Sequence, residues 1–197
     1  MRRFALLLAL SVIALLAAGC GATSEAAAPA ATSGFAGTPL GGTPAPPFAL
    51  HDDRGRPVTL AALRGDYVLV TFLYTHCPDV CPLIATNLGV VLRRLPADRR
   101  NVRAVAISVD PKGDTRASVR AFVRSHRLPK TFLYAIGTRA QLQRVWKAYG
   151  IAAEKGPENT VNHSAYTVLI DPRGKERVLY DAQVKPRAVL HDLRVLA

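Results

Sequence analysis

Three observations predict an α/β domain of three layers, opened by a short hairpin and closed by an antiparallel hairpin and a helix. Near-continuous apolar, β-branched runs (YVLVTFLY at 67–74, VRAVAISV at 102–109) read as buried strands. Stretches with apolar residues at helical spacing alternate with them. The length of 197 residues, with 49% apolar and 20% charged, suits one globular domain plus an excess, and excludes a wholly disordered or collagen-like chain.

The excess sits at the start. Arg2 and Arg3 precede an apolar run, Phe4–Ala18, broken only by Ser11; it is too short for a stable span and fits residues 1–19 as a secretory signal. It ends in Leu16-Ala17-Ala18-Gly19-Cys20, which resembles the lipobox of bacterial lipoproteins, and Cys20 is the expected site of lipidation. Residues 21–47 are rich in Ala, Gly, Pro, Ser and Thr, with Glu25 the only charge. With little to bury, 20–47 is expected to be a lipidated, disordered tether, leaving 48–197 as the domain.

Within 48–197, Phe48–His51 and Pro57–Leu60 flank Asp53-Arg-Gly-Arg as an opening hairpin. Tyr67–Tyr74 is the central strand, and Val80–Leu95 is helical on the spacing of Leu83, Ile84, Leu88, Val91, Leu92 and Leu95. Val102–Val109 is a second buried strand, followed by a helix over Thr115–Leu128 with Val119, Phe122 and Val123 on one face. A short strand at Thr131–Ile136 precedes a helix over Arg139–Tyr149. Ala165–Ile170 and Arg177–Tyr180 surround the turn Asp171-Pro-Arg-Gly as a hairpin, and Pro186–Leu196 is a final amphipathic helix. The order β-α-β-α-β-α-β-β-α is that of a thioredoxin-like fold.

The net charge is +12; the leader carries +2 and the tether −1, which leaves +11 on the domain. No aromatic-interleaved basic stripe, helix-turn-helix or zinc-finger spacing accompanies it, so nucleic acid is not an expected partner. An anionic bilayer or an acidic protein suits a tethered basic domain better.

The domain's two cysteines stand in Cys77-Pro-Asp-Val-Cys81-Pro82, between the central strand and the next helix. Pro82 belongs in a first helical turn, which puts Asp79 at the N-cap, Cys77 in the loop before it and Cys81 inside the first turn. Thiolates are stabilised at a helix's positive end, so both pKa values are expected to fall. Such a pair serves thiol–disulfide exchange or a soft metal. A merely structural disulfide is disfavoured because the loop closed is short. Three residues separate the cysteines, not the two of thioredoxin-type oxidoreductases, and Thr75 lies two residues before Cys77, not three as in peroxidases of the same fold. His163, just before the strand 165–170, occupies the loop expected to face the cysteines, and no proline occurs between 158 and 171. Two sulfurs and an imidazole suit Cu(I) and can take Cu(II) with a fourth ligand; with water, the same set also suits Zn(II). Asp110 and Asp114 are expected to cap the following helix. His76 reads as a solvated loop residue, and His51, His126 and His191 as surface residues.

Together, Phe72-Leu-Tyr-Thr-His-Cys-Pro-Asp-Val-Cys-Pro82, Ile107-Ser-Val-Asp-Pro111 with Asp114-Thr115, Val161-Asn-His-Ser164 and Leu169-Ile-Asp-Pro-Arg-Gly-Lys175 resemble the SCO/SenC family, membrane-tethered copper proteins that assist assembly of the CuA centre of cytochrome c oxidase. The resemblance implies Cys77, Cys81 and His163 as copper ligands, with Cys77 and Cys81 also able to form a redox-active disulfide. It implies as partners the oxidase subunit carrying CuA and a copper donor protein. The sequence departs from the family pattern in lacking a proline after Asp114-Thr115 and in placing Asn162 where aspartate is common. The expectation is therefore a copper chaperone, not an enzyme, held by its lipid on the outer face of the cytoplasmic membrane. The competing reading is a thiol–disulfide reductase acting on the oxidase's cysteines or on other envelope proteins.

Overall fold

In the computed structural model, residues 34–96, 101–156 and 161–197 are described, without the side chains of Lys155, Asn162 and His163. Ten strands, four α-helices and one 3₁₀ turn (Ala61–Leu63) are formed by them. Six strands make the central sheet: β1 (Thr38–Pro39), β4 (Tyr67–Leu73), β5 (Val102–Ser108), β6 (Phe132–Ala135), β9 (Thr167–Ile170) and β10 (Glu176–Tyr180), in the order β1-β10-β9-β4-β5-β6. β4, β5 and β6 run parallel, because the helices α1 (Val80–Arg94) and α2 (Arg116–Ser125) cross back between them. β9 returns antiparallel beside β4, and β10 beside β9. This is the expected three-layer, thioredoxin-like arrangement.

β4 and β5 lie inside the sheet and are covered on both faces, which is why their sequences are unbroken apolar runs without alternation. Val68, Leu69, Val70, Phe72 and Leu73 have no exposed surface. At about 1.5–3 kcal/mol for each large side chain withdrawn from water, this strand is a main source of cohesion. Along α1, Cys81, Ile84, Ala85, Leu88 and Val91 make the buried stripe, at the 3–4 residue spacing of one helical face. Leu83 falls between those rows and is 48% exposed, contrary to its expected core position.

The opening hairpin forms as β2 (Ala49–His51) and β3 (Pro57–Thr59), and His51 pairs with Ile136 at the open edge of β6. α3 (Arg139–Ala148) starts in a reciprocal capping box between Thr138 and Gln141, and α4 (Pro186–Val195) starts on a proline in its first turn. In the turn after β9, Gly174 takes φ +72°, and a Cβ there would collide with the Arg64 guanidinium. Asp171 accepts from the Arg173 and Lys175 backbones and pairs with Arg177.

Two regions differ from expectation. The expected tether is not free chain where it is described: β1 adds to β10, Ala45 is buried, and the Ala36 and Gly37 N–H groups donate to Asp192 of α4 at 2.6 and 3.0 Å. Gly37 permits this, since a Cβ there would strike Val178 and Tyr180. Residues 1–33, with the expected signal and Cys20, lie outside the described residues. A second hairpin, β7 (Ala153–Lys155) with β8 (Val161–His163), occupies what was expected to be loop.

Candidate functional site

β4 ends at Leu73, and the chain turns through Tyr74, Thr75 and His76 to Cys77 at the carboxyl edge of the parallel strands. In open α/β sheets that edge is where ligands gather. Val80 opens α1, so Cys77 precedes the helix and Cys81 occupies its first turn, as expected. Asp79 holds the N-cap position, but its side chain makes no capping bond. Its backbone N–H instead donates to Cys77.

Cys77 is 8% exposed and Cys81 is fully buried, and no disulfide joins them. The Cys81 backbone N–H donates to Cys77 Sγ at 3.4 Å. The Cys77 pKa is held well below that of an ordinary thiol, first by a hydrogen bond from the Cys81 thiol, then by the Asp79 and Cys81 backbone N–H groups and the Tyr74 hydroxyl, which together outweigh burial. Cys81 moves the other way, because its proton is the one shared with Cys77, because it is buried, and because Asp114 adds negative charge nearby. The expectation that both thiols would acidify holds for Cys77 alone. Two amides and a neighbouring thiol serve Cys77, while Cys81 lies deeper in apolar surroundings. The two sulfurs are therefore unequal, the outer one the more acidic and the inner one the less. Two converging soft donors of this kind fit a soft, thiophilic cation such as Cu(I).

The residues holding that loop include one whose role the sequence pattern did not reveal. Asp114 does not cap α2; Thr115 does, accepting from the Ser118 N–H at 3.1 Å. Asp114 is instead buried beneath the cysteine loop. Its Oδ1 accepts from the Thr75 backbone N–H and from Thr75 Oγ1, both at 2.8 Å. Its Oδ2 accepts from Ser108 Oγ at 2.6 Å and from the Tyr134 hydroxyl at 3.0 Å. Burial raises its pKa against the pull of these donors. An aspartate just before a Thr-x-x-Ser capping sequence reads locally as part of the cap, and only the sheet brings Thr75 and Tyr134 to it.

The single hydroxyl proton of Thr75 goes to Asp114. The contact of 3.1 Å between Thr75 Oγ1 and His76 Nδ1 is therefore assigned with the imidazole donating, which leaves the Nε2 lone pair on the far side of an exposed ring. A cavity of about 390 Å³ adjoins the loop, lined among others by His76, Asp110, Arg139, Trp146, Glu154 and Val161.

Val161 of β8 and Glu154 of β7 contribute to the wall of that cavity. Val161 N–H donates to the Tyr74 hydroxyl, and the same hydroxyl bonds Cys77, so the backbone two residues before His163 is tied to the cysteine loop. His163 pairs in register with Ala153, in a strand and not in the expected loop. Its side chain lies outside the described residues, and among the described residues no three His, Cys, Asp or Glu side chains gather to hold a metal. His191 Nε2 meets the Gly34 carbonyl on the surface, whereas His126, expected on the surface, is half-buried on the Phe122 ring.

Residues 38–197 match the model of the SCO1/SenC family. The chain is 35% identical over 134 residues to the mitochondrial SCO2 homologue of Bos taurus, covering 64% of this chain and 50% of that one. It is 31% identical over 137 residues to a protein of Stutzerimonas stutzeri named for copper binding, covering 67% and 66%. The match thus spans half to two-thirds of these relatives' own length. Among solved structures, apo Sco1 of Thermus thermophilus superposes with TM-score 0.73 at 28% identity, over 83% of this chain and 97% of that one. ScoI of Bradyrhizobium japonicum, solved with copper bound, gives 0.69 at 31% identity, over 79% and 100%. With the expected fold and the paired sulfurs at the expected edge of the sheet, the chain belongs to the SCO1/SenC family.

Proposed function

We propose that this protein is a copper chaperone. Cys77, Cys81 and His163 hold one copper ion as cargo and pass it by ligand exchange to the oxidase subunit that carries CuA, after loading from a copper donor protein. The observation that carries the reading is the pair of buried cysteines preorganised at the start of α1, with the Cys81 N–H on Cys77 Sγ at 3.4 Å. It presents two soft ligands, and metal binding would release to solvent the protons they carry. The support from relatives is the Bradyrhizobium structure, solved with copper bound. Neither holding nor passing the ion requires turnover. We further propose that Cys20 carries a lipid and that the domain works on the outer face of the cytoplasmic membrane. Among the described residues no helix is long and apolar enough to cross a membrane.

The test separates carriage from reduction. In the reduced domain under anaerobic conditions, His163→Ala is expected to weaken Cu(I) by more than about tenfold in competition titration, since one of three ligands is lost. Exchange of Cys77 and Cys81 with glutathione should persist. Unchanged Cu(I) affinity would sink the three-ligand reading and leave the thiol–disulfide reductase. Retention of Zn(II) over Cu(I) in the same titration would reassign the metal.

A further inference from the structure

Among the described residues, Asp114 is the carboxylate buried beneath the cysteine loop, and the proposed mechanism gives it nothing to do. Burying a carboxylate costs free energy unless donors compensate. Here four donors converge on it from the ends of three adjacent strands: Thr75 twice after β4, Ser108 at the end of β5, and Tyr134 in β6. All four are on the protein, and the carboxylate is 4% exposed. Thr75 is two residues from Cys77, and the Cys77 N–H bonds back to the Tyr74 carbonyl at 3.4 Å. The chain from Tyr74 to Cys77 is thus held at Thr75 by the carboxylate and at Cys77 by its own turn.

We propose that Asp114 is a positioning residue for the dithiol: by gripping both the backbone and the side chain of Thr75, it sets Cys77 Sγ against the Cys81 N–H and so preorganises the pair for metal and for disulfide formation. The metal half of this statement rests on the copper reading; the disulfide half does not. Because β5 and β6 supply the other two donors, the loop is referenced to the rigid sheet and not merely to its own turn. Groups hydrogen-bonded directly to a metal ligand are worth about 10- to 100-fold in affinity, and Asp114, which acts through Thr75, is expected at the lower end of that range.

The test uses variants that separate geometry from charge. T75V removes the hydroxyl's bonds to Asp114 and His76 and no charge, T75S restores the hydroxyl, and D114N removes the charge and rearranges the acceptors. Two properties are read in the full chain: Cu(I) affinity by competition, and the equilibrium in which glutathione disulfide takes two electrons from the Cys77 and Cys81 sulfurs, whose protons pass to the departing glutathione thiolates as the Cys77–Cys81 bond forms. T75V is expected to weaken Cu(I) about tenfold. It should also move the dithiol–disulfide equilibrium constant about tenfold, which is about 30 mV for a two-electron couple. T75S should return both to within about twofold of the parent, and D114N should weaken Cu(I) at least as much as T75V. A lower melting temperature in T75V with both properties unchanged would make Asp114 a merely structural carboxylate and overturn the proposal. So would a change in D114N alone, which would assign the effect to charge. Should the parent chain hold no copper, the copper reading fails, and the glutathione equilibrium decides the positioning role by the same criteria. Where D114N does not fold, T75V and T75S decide it.

Discussion

Asp114 and Asp192 are both shut away from solvent, and each is surrounded by hydrogen-bond donors, yet they restrain different parts of the molecule. Asp114 grips the loop that leads into Cys77. Asp192, in α4, accepts from the Ala36 and Gly37 backbones and from the Tyr180 hydroxyl at 2.9 Å, and so straps the N-terminal segment along β10. One buried carboxylate acts on the site and the other on the fold. A carboxylate in the core is costly wherever it sits, so its function is read from what it holds. Asp114 holds Thr75, beside a reactive sulfur; Asp192 holds main chain far along the sequence from either cysteine.

The largest effect expected lies at the cysteine end. Removing the inner sulfur with Cys81→Ala takes away the main cause of Cys77's acidity, so the Cys77 pKa should climb back toward the ordinary thiol range. In the metal-free protein, the midpoint of the alkylation rate against pH should move upward, and Cu(I) retention should be lost. An unmoved midpoint would mean that the backbone N–H groups alone hold the thiolate.

Next comes the strap. Asp192→Ala leaves two backbone N–H groups and a buried tyrosine hydroxyl without their acceptor, which should cost about 2–4 kcal/mol in denaturant unfolding. Cu(I) affinity should stay within about twofold of the parent, since nothing Asp192 holds lies within reach of Cys77 in the network described. A fall in affinity matching that of T75V would erase the distinction between the two carboxylates.

The smallest effect concerns acid. Burial pushes Asp171 up, but the Lys175 and Arg173 N–H groups and the Arg177 guanidinium outweigh it, so its pKa is lowered. A carboxyl whose folded pKa is depressed contributes stability above the unfolded value near 3.8 and loses it as the pH falls through the folded one. Asp171→Asn should therefore flatten the decline in stability below about pH 4, by about 1 kcal/mol between neutral and strongly acid solution. Asp114 has the opposite sign: burial raises its pKa, so its ionisation costs stability as the pH rises through the carboxylate range. Asp114→Asn should leave the acid decline no flatter than in the parent. If it flattens that decline as Asp171→Asn does, the net effect of burial on Asp114 has been misread.

Much of this was legible without coordinates because local physics dominates the elements concerned. Two-sided burial writes itself into β4 and β5 as unbroken apolar runs, and Pro82 confines the start of α1 so tightly that the positions of Cys77 and Cys81 follow from it. The failures share a cause. Residues 34–47 carry no strand signal of their own and are ordered by β10 and by Asp192, more than 130 residues away in sequence. The β7–β8 hairpin is only three residues on each side and has no alternating pattern to announce it. Leu83 matches the helical spacing but points into solvent, because spacing selects a face and only the packed sheet decides how wide the buried face is.

What the sequence determined by itself was therefore the class of fold, the family and the placing of two sulfurs at a helix start, each written in contiguous residues. What only the tertiary structure decided was the inequality between those sulfurs and the role of Asp114. The first comes from burial acting on donors that lie between Tyr74 and Cys81, and the second from contacts remote in the chain: Asp114 reaches Thr75 across 39 residues and Tyr134 across 20. That buried carboxylate is satisfied only once the three parallel strands have been laid side by side.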